Sequence, residues 1–165
     1  MAKVNVDTRQ ACYAGFYPQE LLAQISYERV ETAWRKRIWE SPGSPAVFAF
    51  VAEDMLQQRI AGVVVGGPAQ TLDLPFQGEI YVLYVLPDYH RQGIGRKLVD
   101  AAARRLAAHN MQGLLIWVLA DNPACSFYAA LGGQVISEKV LDLGDAKLRE
   151  VAFGWPDLET LFLDV

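Results

Sequence analysis

Cysteine and histidine are scarce in this 165-residue chain, which has two of each: Cys12 and Cys125, His90 and His109. Two thiols make no disulfide framework, and the four residues together give no zinc-ligand spacing. The expectation is a fold with no metal and no covalent staple. None is needed, because a domain of this size buries about two thirds of its unfolded surface. No apolar run approaches the roughly 18–20 residues of a membrane span. The N-terminus lacks the apolar core of a signal peptide. Reduced thiols and these absences place the chain in the cytoplasm, away from membranes. Excess positive charge is missing too: 15 basic residues stand against 19 acidic ones, for a net charge of −4. That balance argues against a nucleic-acid partner. Internal repeats, low-complexity tracts and linkers are also lacking, so residues 1–165 read as one domain.

The charge that is present is unevenly spread. Residues 90–109 hold five basic side chains (Arg91, Arg96, Lys97, Arg104, Arg105) and one acid, Asp100, leaving 10 basic and 18 acidic residues elsewhere. A local cationic site on an acidic protein fits a small anionic ligand better than a polyanion.

The hydrophobic pattern gives the order of elements. Residues 19–26 carry a short helical pattern after Pro18. Ser26 can cap a second helix, on which Val30, Trp34 and Ile38 form one stripe. Ser41-Pro42-Gly43-Ser44-Pro45 ends it. The period then shortens. Residues 47–53 and 59–66 form a hairpin, and 79–86 (EIYVLYVL) reads as a central strand buried on both faces. After Pro87 come a helix over 94–109, a second buried strand over 114–119, and a helix over 124–131 that starts at Asn122-Pro123 and ends at Gly132-Gly133. Residues 134–141 and 147–154 close the chain as a hairpin around Gly144-Asp145. A strand–helix–strand crossover makes the 79–119 unit parallel, and the hairpins make the rest antiparallel. The fold class is therefore α/β (α+β), a mixed, mostly antiparallel sheet with helices on its faces.

The informative segment is His90-Arg91-Gln92-Gly93-Ile94-Gly95-Arg96, between a buried strand and a helix start. Two glycines let successive backbone N–H groups turn outward, and the helix N-terminus adds partial positive charge. A pyrophosphate suits such a turn; the plain alternative is a strand-to-helix turn with solvated charges. A P-loop needs Gly-Lys-Ser/Thr, which is absent, and the dinucleotide fingerprint needs a third glycine where Leu98 stands. Both failures disfavour a nucleotide-binding regulatory module.

These residues resemble the GNAT superfamily of acyl-CoA N-acyltransferases, in particular its bacterial small-amine and protein N-acetyltransferase members. The resemblance rests on Val85-Leu86-Pro87 followed by His90-x-x-Gly93-x-Gly95, and on a second block, Asn122-Pro123-Ala124-Cys125-Ser126-Phe127-Tyr128-Ala129-Ala130-Leu131-Gly132-Gly133. Glu150 to Trp155 is similar to the last strand of many bacterial members, and Tyr13 to Pro18 to a substrate-side helix and loop. The first loop position is usually Arg or Gln, and here it is His90. The family's first strand has no match in the short, polar stretch 1–7, so the sheet has six strands or lacks its first. The GNAT fold implies a central pair of parallel strands that splay apart.

The resemblance also implies a chemistry, with acetyl-CoA as co-substrate and no metal. Arg91, Gln92, Gly93, Ile94, Gly95 and Arg96 would bind the CoA pyrophosphate. Leu83, Tyr84 and Val85 would offer backbone groups to the pantetheine and the thioester carbonyl, and Asn122 would bond the pantetheine arm. Glu79, fourteen positions before Gly93, would be the general base that takes the amine's proton, through water or directly. Tyr128 would protonate the departing thiolate. The plain readings are a strand-end carboxylate and a packed helix tyrosine. Cys125 lies near both, and direct transfer needs no cysteine nucleophile, so it reads as packing. The acceptor is an amine on a small molecule or a peptide, and a homodimer is compatible with the family. Tyr13, Phe16, Tyr17, Trp34, Trp39 and Trp155 either line the acceptor pocket or, the better account, fill core and interface. A non-catalytic acyl-CoA sensor or a degenerate member is the other class of function.

Overall fold

The sheet at the centre of the molecule is assembled from the chain's most apolar stretches, and helices reach it from both sides. The structure is a computed structural model that describes residues 1–15, 17–40, 46–143 and 146–163, with the backbone alone for Arg37, Trp39 and Glu40. The expected breaks at residues 41–45 and at Gly144-Asp145 lie outside the described residues.

Helix α1 spans Ala2–Tyr13. It occupies the stretch compared above with a first strand. Its buried positions are Val4, Asn5, Val6 and Thr8. Two of the four are polar, so no apolar stripe marks this helix in the sequence. Helix α2 is the short Gln19–Ala23. Helix α3, Tyr27–Trp34, starts as expected at Ser26, whose side-chain oxygen accepts from the Arg29 N–H at 3.3 Å. The chain continues as a π-helical turn over Arg35–Glu40.

Strands β1 (Phe48–Asp54), β2 (Arg59–Pro68) and β3 (Gly78–Val85) form an antiparallel meander. Helix α4 (Ile94–Ala108) crosses over to β4 (Leu114–Leu119), which pairs parallel to β3. Helix α5 (Ala124–Ala130) leads into the antiparallel hairpin of β5 (Gln134–Asp142) and β6 (Lys147–Trp155). Six strands result, in the order β1-β2-β3-β4-β6-β5. The sequence-derived elements from residue 47 onward are all present, with ends shifted by one or two residues.

Side chains on β2 and β3 alternate between two cores, as strand geometry requires. Val64 and Ile80 pack with Leu98, Val99, Ala102 and Leu106 of α4, together with Ile116, Tyr128 and Phe153. Val63, Val65 and Leu86 pack on the other face with Val4 of α1 and with Trp34 and Ile38. Two of the three residues of the stripe read there, Trp34 and Ile38, thus pack half-buried against this core.

The parallel pair is short. Strands β3 and β4 are in register only at Gly78↔Leu114 and Glu79↔Leu115. Beyond that point β3 stays bonded to β2 as far as Val85, and β4 stays bonded to β6 along its whole length. On β3 the partner of Val65 is Val82 and that of Gly66 is Ile80, so Tyr81 is an extra residue. A bulge of this kind bends and twists the strand that carries it. The two central strands separate into the splayed pair that the family resemblance implies.

Candidate active site

The slot between β3 and β4 closes at Glu79 and opens toward Leu83, Tyr84 and Val85. These three residues keep their partners on β2 and have none on β4. The Val85 carbonyl accepts from the Thr8 hydroxyl of α1 at 3.4 Å and from His90 Nε2 at 2.9 Å. A carbonyl can only accept, so Nε2 of His90 carries the proton in this contact. His90 thereby ties the turn after the strand back to the strand's last residue. A thioester oxygen needs donors, so the engagement of that carbonyl takes nothing from the role given to this stretch.

The turn itself is set by backbone conformation. After a 3₁₀ turn at Pro87–Tyr89, Arg91 and Gly93 adopt left-handed φ values of 61° and 77°. Left-handed backbone is open to glycine and costs a non-glycine residue about 1–2 kcal/mol. Such turns aim consecutive N–H groups into one concavity. Gly93 is also the N-cap of α4, whose first-turn N–H groups have no carbonyl of their own helix to bond. Gln92 braces the turn through its side-chain amide, which donates to the Asp88 carbonyl at 3.1 Å. Arg91, Gln92, Arg96 and Lys97 are exposed around it. Gly95 serves a different purpose: a Cβ there would meet the Phe127 ring at 3.2 Å. Its absence lets α5 approach the start of α4.

At the open end three tyrosines gather from separate elements. Tyr128 of α5 is 5% exposed and packs edge-on against the rings of Phe127 and Trp155 and obliquely on Phe153. Burial pushes its phenol far above the ordinary tyrosine range, and burial likewise raises Tyr84 and Tyr13. The side chains of Tyr84 and Asn122 both hydrogen-bond with the Tyr13 hydroxyl. The Asn122 carbonyl oxygen accepts from the Ala124 N–H at 2.8 Å and so fixes the start of α5. All three phenols therefore hold their protons at neutral pH, and Tyr128 is in the form a proton donor requires.

Glu79 is buried, and its Oε2 accepts from the Gln70 N–H at 2.7 Å. It stands at the closed end of the slot, four residues or about 13 Å of strand from Leu83. The Cys125 thiol donates to the carbonyls of Leu119 and Ala120, at 3.5 and 3.6 Å, and burial raises its pKa. It is a thiol in a packing role. No cluster of metal-ligating side chains occurs among the described residues.

The structure thus brings Leu83, Tyr84, Val85, Asn122 and Tyr128 together, sets the 91–96 turn at the mouth of the slot, and puts Glu79 at its depth. Of the aromatic set, Tyr13 belongs to the site, and Tyr17 lies against it with ring centroids 5.9 Å apart. Trp34 and Trp155 are core residues. Phe16 and the side chain of Trp39 lie outside the described residues. The sequence reading missed Arg9. Its guanidinium lies over the Tyr13 ring, 5.8 Å from the centroid. The available signal was its position one helical turn before Tyr13.

Known proteins share this fold. Residues 68–141 match the FR47-like protein family. An uncharacterized N-acetyltransferase, YuaI, from Bacillus subtilis is 31% identical over 161 residues, covering 98% of this chain and 88% of that protein. Among solved structures, a ribosomal-protein-S5-alanine acetyltransferase from Vibrio fischeri superimposes with a TM-score of 0.70 at 20% identity, covering 94% of this chain and 85% of the other. PaiA N-acetyltransferase from Thermoplasma acidophilum, in complex with coenzyme A, gives a TM-score of 0.61 at 17% identity over 91% and 88% of the two chains. The splayed strand pair, the glycine turn capping α4 and the full-length match to YuaI place the chain in the GNAT superfamily of acyl-CoA-dependent N-acyltransferases.

Proposed function

We propose that the protein transfers an acetyl group from acetyl-CoA directly to a primary amine, borne by a small molecule or a peptide, in the cytoplasm. The observation that carries this reading is the β3–β4 slot, which has a left-handed turn leading into α4 at its mouth and a buried, protonated tyrosine beside it. Acetyl-CoA supplies an activated acyl carbon. The backbone N–H groups of 91–96, with the charges of Arg91 and Arg96, hold its pyrophosphate. Asn122 offers its side-chain amide N–H groups to the pantetheine arm. Backbone donors of Leu83 to Val85 polarise the acyl oxygen, where such donors lower the barrier most. As the new C–N bond forms and the C–S bond breaks, Glu79 receives the amine's proton through water. Tyr128 gives its own proton to the sulfur.

A screen of amines against acetyl-CoA, with the released CoA thiol as readout, tests this. Turnover with at least one amine is expected. Acetyl-CoA binding without thiol release from any amine would leave a non-catalytic acyl-CoA sensor.

A further inference from the structure

The face of α1 that borders the slot carries polar groups left without partners. Arg9 has a buried Nε with no hydrogen-bond acceptor, and its guanidinium makes no ion pair among the described residues. One turn earlier, on the same side of the helix, Asn5 is 4% exposed and its Oδ1 has no donor. The other charged residues of α1 contrast with this: Lys3 and Asp7 are paired with each other at 2.9 Å. A buried donor or acceptor without a protein partner costs stability unless a water, an ion or a ligand supplies one. Here a cationic donor and a neutral acceptor are stacked at i and i+4, so they present one polar strip.

The strip leads to the reaction centre. Arg9 lies over the Tyr13 ring, and its charge acts on both Tyr13 and Tyr84, the pair beside Tyr128. A single guanidinium matches a carboxylate in charge and, through its planar fork, in shape. A phosphate would call for more cations than this strip holds.

We propose that Arg9 binds a carboxylate on the acceptor, so that the substrate is a carboxylate-bearing amine: a free amino acid or a peptide with an acidic residue at its N-terminus. The inference rests on the acetyl-transfer reading above and names its acceptor class. An amine next to a carboxylate held at Arg9 is delivered to the tyrosine cluster, where the sulfur leaves. Asn5 Oδ1 takes an N–H of the same molecule or of a water bound with it.

The test uses released CoA thiol with matched acceptors: each amino acid, its amide and the amine lacking the carboxyl group, plus dipeptides beginning with Asp or Glu. The wild-type protein is expected to favour the carboxylate member on the order of 10- to 100-fold in kcat/KM, the worth of one charge-assisted hydrogen bond. Arg9→Gln should remove that preference, so that each acid is turned over no faster than its amide. Arg9→Lys should restore part of it. Free amino acids and acidic dipeptides separate the two sources of the carboxylate. Equal turnover of acids and amides by the wild type overturns the proposal and leaves acetyl transfer standing. So does an equal loss on every acceptor in a folded Arg9→Gln protein. If Arg9→Gln does not fold, the wild-type ratio of acid to amide decides alone. If no amine is turned over, the acetyl-transfer reading fails by itself. Calorimetric titration of the same carboxylates into the CoA-loaded protein then decides: binding that Arg9→Gln abolishes supports the carboxylate site, and no binding overturns it.

Discussion

On the side of the slot formed by residues 90–97, the groups whose direction is fixed are backbone, with the exposed charges of Arg91, Arg96 and Lys97 around them. Two left-handed residues, Arg91 and Gly93, and the first turn of α4 supply N–H groups whose direction is set by φ and ψ. On the side formed by α1, the surface is side chain: Asn5, Arg9 and Tyr13, presented by one helix that nothing else in the sequence pattern announces. The difference has consequences for tolerance. A site read through backbone accepts changes in side chain as long as the conformation survives. A site read through side chains gains or loses a ligand with one substitution.

Four changes sharpen that contrast. The largest effect is expected at Tyr128, the proposed proton donor. Tyr128→Phe should lower kcat by about 100-fold or more, the usual worth of a general acid, with acetyl-CoA affinity kept. Steady-state kinetics and a binding titration check the split; an unchanged kcat removes the proton-donor role. Next comes Gly93→Val. A branched side chain at φ 77° is strained by about 1–2 kcal/mol, so KM for acetyl-CoA should rise roughly 10-fold and the Tm should fall. If acetyl-CoA KM does not move, the turn is not the pyrophosphate site.

The third concerns pH. Burial holds the pKa values of Tyr13, Tyr84 and Tyr128 above that of an unfolded tyrosine, near 10. Below that pH both states keep the proton and these groups contribute no slope. Above it the unfolded chain releases protons that the native protein retains, so stability falls as pH rises. Thermal unfolding between pH 8 and 11 should show a Tm that drops above about pH 10, less steeply in Tyr128→Phe. An identical slope in the two proteins would contradict the buried, protonated state. The smallest effect belongs to His90→Gln. It exchanges one donor to the Val85 carbonyl for another, so acetyl-CoA KM should stay within about 3-fold and stability within the roughly 1 kcal/mol worth of one hydrogen bond. A loss as large as that of Gly93→Val would mean that side chains, after all, read the ligand on this side.

The same contrast governs what the amino-acid sequence discloses. The strand–turn–helix unit is legible because each part carries its own local signature: an apolar run over 79–86, a stop at Pro87, and glycines at 93 and 95. The second block was equally plain, from Asn122 fixing the start of α5 to Tyr128 within it. Helix α1 was not, because Asn5 and Thr8 occupy buried positions where a helix pattern expects apolar residues. Ser26 marked the start of α3 through a local rule that needs no tertiary context. Arg9 needed that context. What singles it out is the tyrosines it adjoins, and Tyr84 is far from it in the chain and near it only after β3 and α1 have packed. The depth of Glu79 was hidden for a similar reason: spacing along β3 identifies the residue, whereas the register with Leu115 puts it at the closed end of the slot.

The most direct measurement is a crystal structure of the protein with acetyl-CoA. Pyrophosphate oxygens within hydrogen-bond distance of the backbone N–H groups of residues 91–96, a pantetheine arm between β3 and β4, and a thioester sulfur facing the Tyr128 hydroxyl are the expected result. Acetyl-CoA bound elsewhere, or a slot closed by β3–β4 pairing with Tyr128 turned away from the sulfur, would contradict it.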